Sequence, residues 1–129
     1  MFYIDTSAAV KLVVAERGTR ALRGWLASRD GKIASSDLLR TELLRATRRA
    51  APEQMVQARA VLDSLVLLTL SSAVFERAAM LEPDLLRSLD SLHLAAALEL
   101  GDELQGMVTY DRRLAEGAQV LGIRVVAPM

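Results

Sequence analysis

Five short apolar runs recur along the chain, separated by segments with helical spacing. Residues 2–4 (FYI), 32–35 (KIAS), 66–70 (VLLTL), 107–110 (MVTY) and 123–126 (IRVV) are rich in aromatic and β-branched side chains and read as strands. Each but the last is followed by a helix-compatible stretch, the rhythm of an α/β fold with a parallel sheet covered by helices. The clearest helix follows Pro52, where Met55, Ala58, Val61, Leu62 and Leu65 form one stripe and Glu53, Gln57 and Asp63 fall off its centre. Pro52 at its start suits a first-turn proline. Gly31, Gly101, Gly106 and Gly122 punctuate the elements, and no long linker, low-complexity tract or repeat interrupts them.

Composition narrows the class. With 129 residues and 52% apolar content, residues 1–129 are expected to form one domain with a substantial core. The absence of cysteine removes disulfides, thiolate metal sites and cysteine nucleophiles, and agrees with a cytoplasmic location. No basic region precedes the first apolar stretch, and no uncharged apolar run nears the ~20 residues that span a bilayer, so neither secretion nor a membrane partner is expected. Sixteen basic residues balance sixteen acidic ones. Any contact with nucleic acid must therefore come from a local patch or from bound cations.

Four carboxylates occupy unusual places in this pattern. Asp5 ends the first strand in FYIDTS, at a strand-to-helix corner where a helix cap by Asp5 or Thr6 is a sufficient account when the residue is taken alone. Asp111 repeats that arrangement after Thr109-Tyr110, in GMVTYDRRLAEGA. Glu42, in SSDLLRTELLRATRRA, shares the i, i+3, i+4, i+7 stripe of Leu39, Leu43 and Ala46; it either faces the core side or reaches water from the stripe's edge. Asp90 opens LDSLHLAAALEL in the first helical turn, where the helix dipole favours an anion. His93, the only histidine, lies three residues on and reads as a packing residue rather than a metal ligand. Arg40, Arg45, Arg48 and Arg49 could hold phosphates or form a solvated face.

In an open parallel sheet, ligands bind at the carboxyl ends of strands, where Asp5 and Asp111 both stand. Four carboxylates in one crevice would repel one another unless protons or cations intervened, and oxygen-only ligands point to Mg²⁺ or Mn²⁺. With one histidine, no cysteine and no GxSxG elbow, hydrolytic chemistry in such a crevice would depend on metal ions.

Asp5 in IDTSA, Glu42 in TELLRA, Asp90 in LRSLDSLHLAAAL and Asp111 in VTYDRRL resemble, in order and spacing, the PIN-domain ribonucleases, and in detail the VapC toxins of bacterial toxin–antitoxin pairs. The resemblance spans the chain, is most specific in LDSLHLAAA and TYDRRL, and is weakest over residues 50–88. It implies a three-layer sandwich with a central parallel sheet, an endoribonuclease activity, one or two divalent metals held by Asp5, Glu42, Asp90 and Asp111, and a positioning role for Thr109. It also implies an RNA substrate, a VapB-type antitoxin and a homodimer. Three other readings remain open: an RNA-processing PIN nuclease, an inert PIN-like binding module, and a haloacid-dehalogenase-like phosphatase, whose D-x-D is absent because Thr6-Ser7 follow Asp5.

Overall fold

Phe2–Ile4 forms β1, the middle strand of a five-stranded sheet, because its three residues can each bury their side chains against a helix layer. The computed structural model describes residues 1–129. The chain continues through α1 (Thr6–Lys11), α2 (Thr19–Ala27), β2 (Ile33–Ser36), α3 (Leu38–Ala50), α4 (Met55–Ser64), β3 (Val66–Leu68), α5 (Ser72–Ala79), α6 (Ser88–Leu98), β4 (Gly106–Val108), α7 (Arg112–Val120) and β5 (Val125–Val126). All four strand pairs are parallel and the sheet order is β3-β2-β1-β4-β5. Phe2 pairs with Ile33 on one side and with Gly106 on the other.

Strand alternation divides the core. Phe2, Ile4 and Val108 point to a layer built by α1 to α4, with Ala8, Leu22, Leu39, Leu43 and Leu62 among its members. Tyr3, Ala34 and Met107 point to the opposite layer, where Leu94 of α6 and Leu114 and Ala118 of α7 pack. Helix α5 lies against α6 through Val74, Ala78 and Ala95. The expected three-layer α/β sandwich is therefore the observed fold. No helix is long and apolar enough to cross a membrane.

Differences from the sequence expectation fall at element ends. The expected strand 107–110 forms ladder structure only over Gly106–Val108, although the Thr109 N–H still donates to the Val126 carbonyl at 3.2 Å. The expected strand 123–126 shrinks to Val125–Val126 because the Ile123 N–H donates to Ala118 O (2.9 Å), closing α7 instead of extending the sheet. The strand expected over 66–70 stops at Leu68, and that expected over 32–35 is shifted to Ile33–Ser36. Pro52 begins a 3-10 turn, Pro52–Gln54, that leads into α4; the α4 stripe buries Ala58, Val61 and Leu62 as anticipated.

The chain runs outward from β1 to β2 and β3, then crosses back to β4 on the other side of β1. The carboxyl ends of β1 and β4 thus flank the point where connections diverge, the place where open α/β sheets bind ligands. Close strand packing there depends on Gly106: a Cβ would meet Arg124 O at 2.8 Å and Phe2 Cε1 at 2.9 Å, with backbone on one side and a core ring on the other. Gly106→Ala should destabilise the protein by about 1–3 kcal/mol, the usual cost of overpacking, in a urea titration. A midpoint equal to wild type would refute that packing account.

Candidate active site

Asp5 leaves the end of β1 and caps α1, accepting from the Ala8 N–H at 3.1 Å. It is only 4% exposed, and a carboxylate so deeply placed needs partners. Ser7 Oγ donates toward both of its oxygens, at 2.8 and 3.0 Å, and Thr109 Oγ1 donates to Oδ2 at 2.8 Å. Thr109 in turn accepts from the Asp111 N–H at 3.1 Å, while Ser7 Oγ accepts from the Tyr110 N–H at 2.9 Å. The ends of β1 and β4 are thereby joined through hydroxyls. Burial pushes the Asp5 carboxyl above its ordinary range, opposed by the Ser7 and Thr109 hydroxyls, the His93 charge and the Ala8 N–H.

Asp111 caps α7, its Oδ1 accepting from the Arg113 and Leu114 N–H groups at 2.9 and 3.2 Å. Asp90 stands in the first turn of α6, and the two aspartates share a cavity of about 400 Å³ with Arg87, Arg112, Arg113 and Glu116, without an apolar side chain in its wall. Partial burial raises the Asp90 carboxyl first and the Asp111 charge raises it further, while Arg87 and His93 act in the other direction.

Glu42 resolves its ambiguity in favour of the partly buried side: its side chain is 23% exposed, and Oε1 accepts from Thr6 Oγ1 (2.9 Å) and from His93 Nε2 (2.7 Å). Burial would raise its carboxyl, but the hydrogen bond and charge of His93, with the Thr6 hydroxyl, outweigh burial and leave it lowered. Glu42 also lines a cleft of about 710 Å³ with Thr6, Leu38, Arg45, Arg49 and Phe75. Of the arginine patch, Arg45 and Arg49 face this cleft, whereas Arg40 pairs with Asp37 at 2.9 Å on the surface.

The structure connects four of the five candidate residues through Thr109 and one cavity and sets Glu42 in a separate cleft, so the four carboxylates do not share a single crevice. Thr109 joins Asp5 to the start of α7, Asp90 and Asp111 face each other across one cavity, and Glu42 is tied to the first turn of α1 through Thr6. No three Asp, Glu or His side chains meet closely enough to enclose an ion as they stand. The donor chemistry nevertheless suits a hard divalent cation: these carboxylate and hydroxyl oxygens include two aspartates whose negative forms are disfavoured by burial, and one of these by a neighbouring anion. Sequence reasoning missed Ser7, Thr6 and Tyr3. Their hydroxyls are legible only as nearness to Asp5 in the chain, while their partners lie 36 to 102 residues away. His93 is buried, as expected of a packing residue, yet both of its nitrogens are engaged, one by Glu42.

A parallel sheet whose order reverses at β1, with Asp5 and Asp111 following the carboxyl ends of β1 and β4, is an open α/β fold with acidic groups at its switch point. Residues 2–119 match the PIN domain family model. The chain is 42% identical to "Ribonuclease VapC47" of Mycobacterium tuberculosis over 99% of its own length and 97% of that protein's, and 40% identical to "Ribonuclease VapC46" of the same organism over 98% and 96%. Among solved structures, the Mycobacterium tuberculosis toxin VapC20, described as cleaving the sarcin-ricin loop, superposes with a TM-score of 0.77 at 14% identity, covering 99% of this chain and 100% of that one. A toxin–antitoxin complex from Klebsiella pneumoniae gives a TM-score of 0.75 at 21% identity, covering 100% and 98%. The chain belongs to the PIN-domain family, in its VapC ribonuclease branch.

The raised carboxyls give the metal-free protein a defined pH dependence. A group with a raised folded pKa holds its proton more firmly when folded, so its contribution to stability falls as pH rises through the interval above the ordinary aspartate value of 3.8. Glu42 acts oppositely, its contribution being lost as pH falls below the ordinary glutamate value of 4.5. Asp90→Asn should therefore melt higher than wild type in EDTA at neutral pH, with the gap closing as pH approaches 4, and should show a smaller rise in Tm with Mn²⁺. An unchanged gap across that range in paired thermal melts would contradict the placement of Asp90 beside Asp111.

Proposed function

We propose that this protein is the toxin of a toxin–antitoxin pair, a cytoplasmic endoribonuclease that hydrolyses RNA with Mg²⁺ or Mn²⁺. The observation that carries the reading is the hydroxyl-braced Asp5 at the β1/β4 switch point, joined through Thr109 to the N–H of Asp111, which shares a cavity with Asp90. The ribonuclease names of relatives at 40–42% identity support it independently.

Asp5, Asp90, Asp111 and Glu42 would hold the cation, and Thr109 with Ser7 would keep Asp5 aimed. When bound, a divalent ion supplies charge for the phosphate oxygens and acidifies water near the site. Arg45 and Arg49 flank the cleft beside Glu42, and Arg87, Arg112 and Arg113 flank the Asp90–Asp111 cavity. These arginines give RNA phosphates local partners that the zero net charge of the chain does not provide. Attack by water leaves a 5′-phosphate and a 3′-hydroxyl without use of the ribose 2′-hydroxyl, and Glu42 can accept a proton-bearing contact from that water. An antitoxin and a homodimer complete the reading; large apolar side chains open to solvent, among them Val56 and Met80, support further interfaces.

Asp90→Asn should lower RNA cleavage by at least ~10²-fold with the circular dichroism spectrum unchanged, by analogy with losing one element of electrostatic stabilisation. Mapping of RNA ends should return 5′-phosphates. Wild-type rates from pure, folded Asp90→Asn, or products carrying 2′,3′-cyclic phosphates, would overturn the mechanism. Sedimentation of the isolated toxin should give twice the 14.1 kDa chain mass, and a monomer at micromolar concentration would remove the homodimer from the reading.

A further inference from the structure

A polar chain crosses the end of the sheet inside the protein. Tyr3 Oη sits 3.0 Å from Ser36 Oγ and 2.7 Å from His93 Nδ1, and His93 Nε2 sits 2.7 Å from Glu42 Oε1. Tyr3 is fully buried and His93 nearly so, and the two rings meet edge to face with centroids 5.7 Å apart. An ionised carboxylate can only accept, so Nε2 must carry a proton and donate it to Glu42. Nδ1 then meets the phenol, and the phenol and the Ser36 hydroxyl can each donate or accept, so the line is satisfied with either one or two protons on the ring. The imidazole is thus fixed at both ends.

Glu42 receives two hydrogen bonds, and both land on the same oxygen. Oε1 is occupied by Thr6 Oγ1 and His93 Nε2, while Oε2 has no protein partner and belongs to a side chain that lines the 710 Å³ cleft. A flexible glutamate held in this way loses little further freedom when its second oxygen is used. We propose that His93, braced by Tyr3, is a positioning residue that clamps Oε1 of Glu42 and so presents Oε2 to a divalent cation or its water; this rests on the ion-holding role given to Glu42 above. The packing of His93 and its service to Glu42 are one arrangement, since the ring that fills the core beside Tyr3 is the ring whose outer nitrogen reaches the carboxylate.

Two amides separate the nitrogens of His93. His93→Gln can donate from the place of Nε2, whereas His93→Asn reaches only as far as Nδ1 and leaves Glu42 without its clamp. Steady-state RNA cleavage, Mn²⁺ affinity by titration calorimetry and metal-free melting are measured on both, with Tyr3→Phe and Glu42→Gln beside them. His93→Asn should lose about 10–100-fold in kcat and in Mn²⁺ affinity with KM for RNA little changed, the usual cost of removing a partner that orients a metal ligand. His93→Gln should stay within about threefold of wild type on both measures, as expected for a slightly displaced hydrogen bond. Tyr3→Phe should fall between them, and it carries the test if His93→Asn does not fold at the assay temperature. Equal values for the Asn and Gln variants, or a folded Tyr3→Phe indistinguishable from wild type in Mn²⁺ affinity and kcat, would overturn the clamp. Glu42→Gln separates the two levels: wild-type Mn²⁺ affinity there would remove the role of Glu42 itself, whereas loss there with equal His93 variants would refute only the positioning by His93.

Discussion

Parallel pairing of β1 with β4 is the constraint on which the site depends. Its register, Ile4 opposite Val108, sets the two strand ends level, so the next residues on one strand and the next on the other, Asp5 and Thr109, stand within hydrogen-bond reach. Burying an anion at the centre of a sheet is costly without compensation. Here compensation comes from the hydroxyls of Ser7 and Thr109 and from the first turn of α1, so a single carboxylate both caps a helix and ties two strands.

Electrostatics in this protein are local. The net charge is zero, yet Asp90 and Asp111 face one cavity with three arginines in its wall, and Glu42 shares another with Arg45 and Arg49. Anion and cation are thus juxtaposed in the wall of each cavity. The Asp111 charge raises the Asp90 carboxyl in the folded protein, a repulsion that the dispersed unfolded chain escapes.

The two helix layers meet at the same edge. Leu39 and Leu43 anchor α3 in one layer and Leu94 anchors α6 in the other, while Glu42 and His93, from these same helices, reach each other at 2.7 Å. Tyr3, whose neighbours Phe2 and Ile4 face the opposite layer, continues that contact into the interior. A buried polar line of this kind specifies geometry more than it adds stability, because a partly broken line leaves unpaired groups behind.

Sequence pattern alone was enough to place the strand cores, the α4 stripe of Ala58, Val61 and Leu62, and the strand-end positions of Asp5 and Asp111, since each depends on local period and on residues adjacent in the chain. It also marked the first-turn place of Asp90, whereas Thr109 was singled out only by the family resemblance. Tertiary structure decided the sheet order, which brings β4 rather than β3 beside β1, and with it which strand ends share a crevice. It decided that Glu42 turns to His93 instead of water, and that Ser7 and Tyr3 serve distant partners, Tyr110 and His93. Strand ends such as residues 109–110 and 123–124 were settled there too, where a helix-closing hydrogen bond competes with the ladder. The physical reason is range: periodicity records which face of an element is buried, whereas the partner of a polar atom depends on how distant segments pack, and one sequence pattern is compatible with many such pairings.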